Sequence, residues 1–309
     1  PATERASPAC WSPPGGKASN GSWNEHQHYN WTDCDNSHSS KVPVTLLLCL
    51  CGMVGNGAVL WLLGFRIRRN AITICVLNLA MADFTFLLLI TITLGIFYVP
   101  ESFCHQLGSW GVTAGLNVTI LLAFTAGVYA LSAFSAVTAL LVLPVSCWPC
   151  RRSQHFLVLL CALLWLLSLL LTVSLYFDPS VLMVLVLSYL FSVLTLICSG
   201  LALLARLLCC CWKQPPRTLC VLVLLPVVSF PFFTADFGYW LLLRAFDFSV
   251  FALSTSLPLA CANSSAHPLI YFLAGSCAKQ FTLSAHVAFQ RVFEDVPEPQ
   301  NGDNTVESS

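Results

Sequence analysis

The chain has 309 residues, 57% of them hydrophobic and 9% charged, and its formal net charge is zero. Soluble domains carry about 25% charged residues, so a chain of this length and composition cannot cover itself with water-compatible surface. The bilayer is its natural solvent. The zero balance alone says nothing about small partners, and no nucleic-acid partner is expected.

Residues 1–41 are polar, with Pro13-Pro14-Gly15-Gly16 and many Ser and Asn, the composition of a disordered tail. Asn20-Gly21-Ser22 and Asn30-Trp31-Thr32 are glycosylation sequons, which suit an extracellular N-terminus, although such triplets also arise by chance. Asn117-Val118-Thr119 has the same pattern inside an apolar run and is expected to stay unmodified. No secretory signal precedes the first apolar run, which is expected to be a retained anchor.

A helix needs about 20 apolar residues to cross the hydrocarbon core. Runs of that kind lie at 43–65, 71–98, 111–143, 156–177, 180–211, 218–243 and 249–274. Helices rather than strands are predicted, because each run must satisfy its own backbone hydrogen bonds in lipid. Most of the 16 cysteines fall within these runs, where Cys acts as a small hydrophobe; Cys10, Cys34 and Cys104 are the ones expected on the extracellular side.

Arg66, Arg68, Arg69, Arg151, Arg152, Lys213, Arg217, Lys279 and Arg291 all fall on one side of the bundle, against Arg244 on the other. The positive-inside rule then puts the N-terminus outside and the C-terminus in the cytosol. Beyond the seventh run, Phe281, Ala285, Phe289 and Val292 recur every three or four residues, with His286, Gln290 and Arg291 on other faces. This predicts an amphipathic helix on the inner membrane surface. The expected organisation is an extracellular tail (1–41), a seven-helix transmembrane bundle (42–275), a surface helix (276–294) and a disordered cytoplasmic tail (295–309), in an all-α protein of the plasma membrane.

Polar side chains inside a membrane are expensive, so each is a functional candidate. Asn56 lies in run one, Asp83 in run two, and Asn263, Ser264 and Ser265 in run seven. If those helices touch, one carboxylate and several amide and hydroxyl oxygens share a small polar pocket. That set suits a sodium ion at Asp83, or a protonated Asp in a purely structural hydrogen-bond network. Pro231 in run six and Pro268 in run seven each remove a backbone hydrogen bond and kink the helix. Asp236 lies about one and a half turns beyond Pro231, where it would meet a cationic ligand between Phe233, Phe237, Tyr239 and Trp240. The alternative is a hydrated Asp236, or one paired with Arg244.

Cys209, Cys210 and Cys211 close run five, and Cys277 opens the expected surface helix, so all four are candidates for S-acylation or plain reduced thiols. Cys147-Trp148-Pro149-Cys150 has redox spacing but no βαβ surroundings. No Walker loop, H-E-x-x-H, G-x-S-x-G or dinucleotide-binding glycine pattern occurs. The chain is not expected to be an enzyme, or to use a cofactor beyond an allosteric sodium ion.

Gly55-Asn56, the stretch Asn78-Leu79-Ala80-Met81-Ala82-Asp83, Trp165 and Pro268-Leu269-Ile270-Tyr271 resemble the rhodopsin-like G-protein-coupled receptors. The finer resemblance is to the Mas-related receptors. It rests on Gly55 to Arg66, Leu77 to Phe84, Cys161 to Trp165, Leu201 to Arg206, Asn263 to Phe272 and Phe289 to Asp295, and covers residues 43–299. It implies a receptor for peptides or small cationic amphiphiles that activates a heterotrimeric G protein. It also implies a sodium pocket at Asp83, Asn263 and Ser264, and switch regions at Phe230-Pro231-Phe232 and at Pro268 and Tyr271.

Three departures accompany the resemblance. Val137 and Thr138 stand where the family carries an acidic–Arg pair, which removes a resting-state lock and a coupling contact. Leu175 and Pro179 stand where many members carry an acidic residue and a Cys, so the usual cation anchor and the disulfide between helices four and five do not carry over. His267 replaces the Asn before the run-seven proline. Two other readings stand beside the receptor: a non-signalling receptor-fold decoy or dimer partner, and a transporter or channel, against which the sparse intramembrane charge and absent repeats argue.

Overall fold

The computed structural model describes residues 41–67, 70–98, 110–142, 154–209, 222–230, 256–277 and 284–293. All secondary structure among them is helical. The helices are α1 (Lys41–Phe65), α2 (Ala71–Tyr98), α3 (Trp110–Val142), α4 (Gln154–Phe177), α5 (Val181–Cys209), α6 (222–230), α7 (Ser256–Cys277) and α8 (Ala285–Phe293). Helices α1 to α5 are each long and apolar enough to span a membrane. Their ends lie within about two residues of the apolar runs, since the same run of side chains that lipid requires also sets the helix length.

The helix ends follow local chemistry. At α2, Asn70 Oδ1 accepts from the Thr73 backbone N–H at 2.8 Å, while the Asn70 N–H donates to Thr73 Oγ1 at 2.7 Å. This reciprocal pair satisfies two amide donors that the first turn would otherwise leave bare. Between α4 and α5 only residues 178–180 intervene. The Asp178 carboxylate accepts from the Ser180 N–H at 2.9 Å and from the Ser180 hydroxyl at 2.8 Å. Both bonds favour the ionised form and hold this exposed carboxyl below its usual range.

Helix α3 is the central column, packing on α2, α4 and α5, while α1 packs on α2 and α7, and α8 on α7. Within the spanning windows 72% of α3 is buried, against 22% of α4 and 17% of α5. The outer faces of α4 and α5 are therefore the lipid-facing wall, with Leu163, Leu170, Leu187 and Phe191 among the exposed side chains.

Apolar burial gives little drive between helices already in lipid, so close packing and interhelical hydrogen bonds hold the bundle. Trp165 Nε1 donates to Asn78 Oδ1 at 2.7 Å, joining α4 to α2. Ser135 and Ser199 meet at 2.5 Å and Tyr129 and Ser188 at 2.6 Å, joining α3 to α5. Thr125 and Ser168 join α3 to α4.

Two features differ from expectation. Helix α7 continues to Cys277, which closes that helix instead of opening the surface helix; the sequence stays uncharged until Lys279, and Ser276 is fully buried. The described surface helix begins at Ala285, and its buried face is Ala288, Phe289 and Phe293.

Candidate functional site

The polar residues of α1, α2 and α7 do converge. Pro268 has no N–H, so the carbonyl of Ser264, one turn earlier, lacks its helical donor. Asn56 Nδ2 fills that place from α1 at 3.1 Å and also reaches the Gly52 carbonyl at 3.0 Å. Both partners are carbonyls, which fixes which end of the amide points there. Gly55 makes the approach feasible, since a Cβ at Gly55 would lie 3.1 Å from Pro268 Cβ. The Gly-Asn pair of α1 and the proline of α7 therefore form one interlocking unit.

On the other face of α7, His267 Nδ1 lies 2.6 Å from Asp83 Oδ2. Asp83 is 4% exposed and His267 2%. A small cavity of about 30 Å³ opens beside this pair, lined among others by Asn263, Ser264, Phe124 and Phe230. Asn263 Oδ1 accepts from the Ser229 hydroxyl of α6 at 3.3 Å. Ser265 faces elsewhere, donating to the Leu48 carbonyl at 2.9 Å and the Cys261 carbonyl at 2.7 Å.

This donor set fits a sodium ion poorly. A hard cation needs oxygen ligands. Here an imidazole nitrogen covers Asp83 Oδ2 and Asn263 Oδ1 is engaged by Ser229, while Asn56 turns its amide nitrogen to α7, keeps an unpartnered Oδ1 and is not among the residues lining the cavity. Among the described residues, no three His, Cys, Asp or Glu side chains gather as a metal cluster.

Towards the C-terminal end of α7, Tyr271 is 1% exposed and packs edge-on against Phe293 of α8, with ring centres 5.9 Å apart. Its hydroxyl is buried without a hydrogen-bond partner. Asn70 Nδ2 donates to the Phe293 carbonyl at 2.7 Å, so one side chain caps the start of α2 and the end of α8. The polar loop position gave no sign of this second role, which depends on α8 folding back beside α2. Thr138 is fully buried, and its hydroxyl donates to the Phe134 carbonyl of its own helix at 2.8 Å.

Asp236, Phe233, Phe237, Tyr239, Trp240, Pro231, Asn20, Asn30, Cys210 and Cys211 lie outside the described residues. Cys209 and Cys277 are the last residues of α5 and α7, and their side chains are not described.

None of the protein-family models matches the chain. Individual proteins do. The chain is 36% identical over 286 residues to Mas-related G-protein coupled receptor member X2 of Hoolock hoolock, covering 86% of each sequence. It is 36% identical over 281 residues to member X2 of Homo sapiens, covering 83% of this chain and 84% of that one. With member A of Rattus norvegicus it shares 34% over 297 residues, covering 87% of this chain and 93% of that one. An α-helical membrane bundle whose similarity to these receptors extends through most of both sequences belongs to their family, the Mas-related G-protein-coupled receptors, which are seven-helix membrane proteins.

Proposed function

We propose that this receptor carries the signal of an extracellular peptide or small cationic ligand to a heterotrimeric G protein. It would act in the plasma membrane with its N-terminus outside and its C-terminus in the cytosol. The ligand class is the one that the resemblance implies, and the sequence supports it by placing Asp236 near Phe233, Phe237, Tyr239 and Trp240 in one apolar run. Family membership makes the chain a receptor rather than an enzyme.

The observation that carries the switching reading is Tyr271. A buried hydroxyl without a partner costs about 1–3 kcal/mol. A second arrangement that gives Tyr271 OH a partner gains that amount, and Pro268, three residues earlier in α7, is the natural pivot. A ligand that binds the second arrangement more tightly shifts the population towards it. Movement of helix six about Pro231 would then open the cytosolic cleft.

Thr138 favours the second reading, a receptor fold that engages no transducer. Its side chain is buried and spent on its own helix, so it offers no cation to a G protein. One experiment separates the two. A ligand library is screened by dissociation of each G-protein class, with wild type beside Val137→Glu/Thr138→Arg, and surface expression is read in parallel. The expected result is weak wild-type coupling and altered basal or agonist-driven dissociation in the variant. An unchanged response in the surface-expressed variant removes the role given to Thr138. Surface expression without engagement of any G protein favours the decoy. Substrate flux would instead favour a transporter.

A further inference from the structure

An ionised carboxylate inside a bilayer must be compensated or neutralised. Asp83 has two candidate compensators, an ion from solution or a group from the chain. The residue before Pro268 decides between them. His267 projects from α7 to α2, and its Nδ1 lies 2.6 Å from Asp83 Oδ2. A nitrogen and an oxygen at that distance share one proton, whether the imidazole N–H donates to the carboxylate or the carboxyl O–H donates to the ring. In either form Asp83 Oδ2 is occupied by a group covalently attached to α7.

The surroundings offer a cation little else. The cavity beside the pair is about 30 Å³, and Leu79, Phe86, Phe124, Val128, Leu131 and Phe230 make most of its lining apolar. His267 Nε2 is buried there without a partner. A second ring nitrogen in place of an oxygen makes the site poorer still for a hard cation.

We propose that His267 takes the place of an allosteric sodium ion in this receptor, so that Asp83 is held between α2 and α7 without one. The coupling of α2 to α7 is then intrinsic to the chain and independent of extracellular sodium. This goes beyond the signalling reading and stands whether or not the receptor couples to a G protein.

The test is thermal unfolding of the purified full-length receptor in detergent micelles. It is titrated with NaCl or with KCl at matched ionic strength, and followed by tryptophan fluorescence. The expected wild-type curves coincide in the two salts. His267→Asn replaces the ring with an amide oxygen donor, and its Tm should rise by several degrees with NaCl but not with KCl. A sodium-selective rise in the wild type overturns the proposal. Sodium-insensitivity in both proteins also overturns it, because His267 is then not what excludes the ion. If His267→Asn does not fold, His267→Gln is read in the same way. If neither folds, a sodium-selective rise in the wild type still overturns the proposal.

Discussion

The claim that Asn56 serves the carbonyl freed by Pro268 can be measured with two substitutions and their combination. Asn56→Ala removes the Nδ2 donor and leaves the Ser264 carbonyl without a partner at a depth where no water replaces it. An unpaired buried acceptor costs about 1–3 kcal/mol. Interhelical hydrogen bonds in bilayers average about 0.6 kcal/mol and reach about 1.7, which places the loss near 1 kcal/mol. The Gly52 carbonyl adds little, since it keeps its own helical donor. Pro268→Ala supplies a backbone N–H to the same Ser264 carbonyl, so in that background Asn56→Ala should cost close to nothing through this contact. The void left by truncation enters both arms and cancels. Unfolding in mixed micelles, read by tryptophan fluorescence, should give a coupling of about 1 kcal/mol, above the ~0.3–0.5 kcal/mol within which independent sites add. Additive losses within that margin would show that Asn56 and Pro268 act independently, and the account of the α1–α7 contact would be wrong.

Gly52→Ala should loosen the same contact. The new Cβ would lie 2.6 Å from Leu87 Cδ1 and 2.8 Å from Ser265 Cβ, and overpacking of that kind costs about 1–3 kcal/mol. Gly64→Ala, which meets nothing within 4 Å, should be neutral or stabilising in the same melting assay. Asn70→Ala should cost about 1 kcal/mol for the lost cap and also release α8, because the Phe293 carbonyl loses its donor; faster amide exchange across 285–293 than in wild type is the check. For Asp178 the folded carboxyl lies below its unfolded value of about 3.9, so its contribution is full above that pH and falls away as pH drops through the folded value. Asp178→Asn should therefore flatten the acid limb of the Tm profile, lowering Tm slightly near neutral pH, since the group is exposed, and leaving it unchanged below the folded value.

The span of the helices was legible because lipid makes length and apolarity the same constraint. The run at 71–98 coincides with α2, and the run at 111–143 differs from α3 by one residue at each end. The convergence of Asn56, Asp83, Asn263 and Ser264 was also legible, since polar side chains in lipid must find one another. What stayed hidden is direction. Asn56 points its amide nitrogen at a backbone carbonyl, and Ser265 turns from the shared pocket to α1. The proline rule alone names Ser264 as the freed carbonyl, but only the packing of α1 on α7 names the donor. Asn70 was invisible for a similar reason, because its second partner is 223 residues away.

The placement of polar contacts says where this bundle is held. Towards the C-terminal end of α3 the ties are neutral and short, the Ser135–Ser199 hydroxyl pair and a Thr138 hydroxyl spent on its own helix. Neutral hydroxyl pairs are weak restraints, since each partner readily finds a backbone carbonyl elsewhere. Ser199 illustrates this, as its hydroxyl also reaches the Thr195 carbonyl at 2.6 Å. On the α7 side the ties are different in kind. Asp83–His267 joins two ionisable groups through one proton, a hydrogen bond of the stronger, charge-assisted class when either group is ionised. Asn56–Ser264 guards a carbonyl with no other donor. An arrangement with strong ties at α2–α7 and weak ones at α3–α5 resists movement of α7 more than movement of the C-terminal end of α3. Under the proposed switching, substitutions around Pro268 should therefore shift the balance of the two arrangements more than any at Ser135 or Thr138 that leaves the side chain neutral.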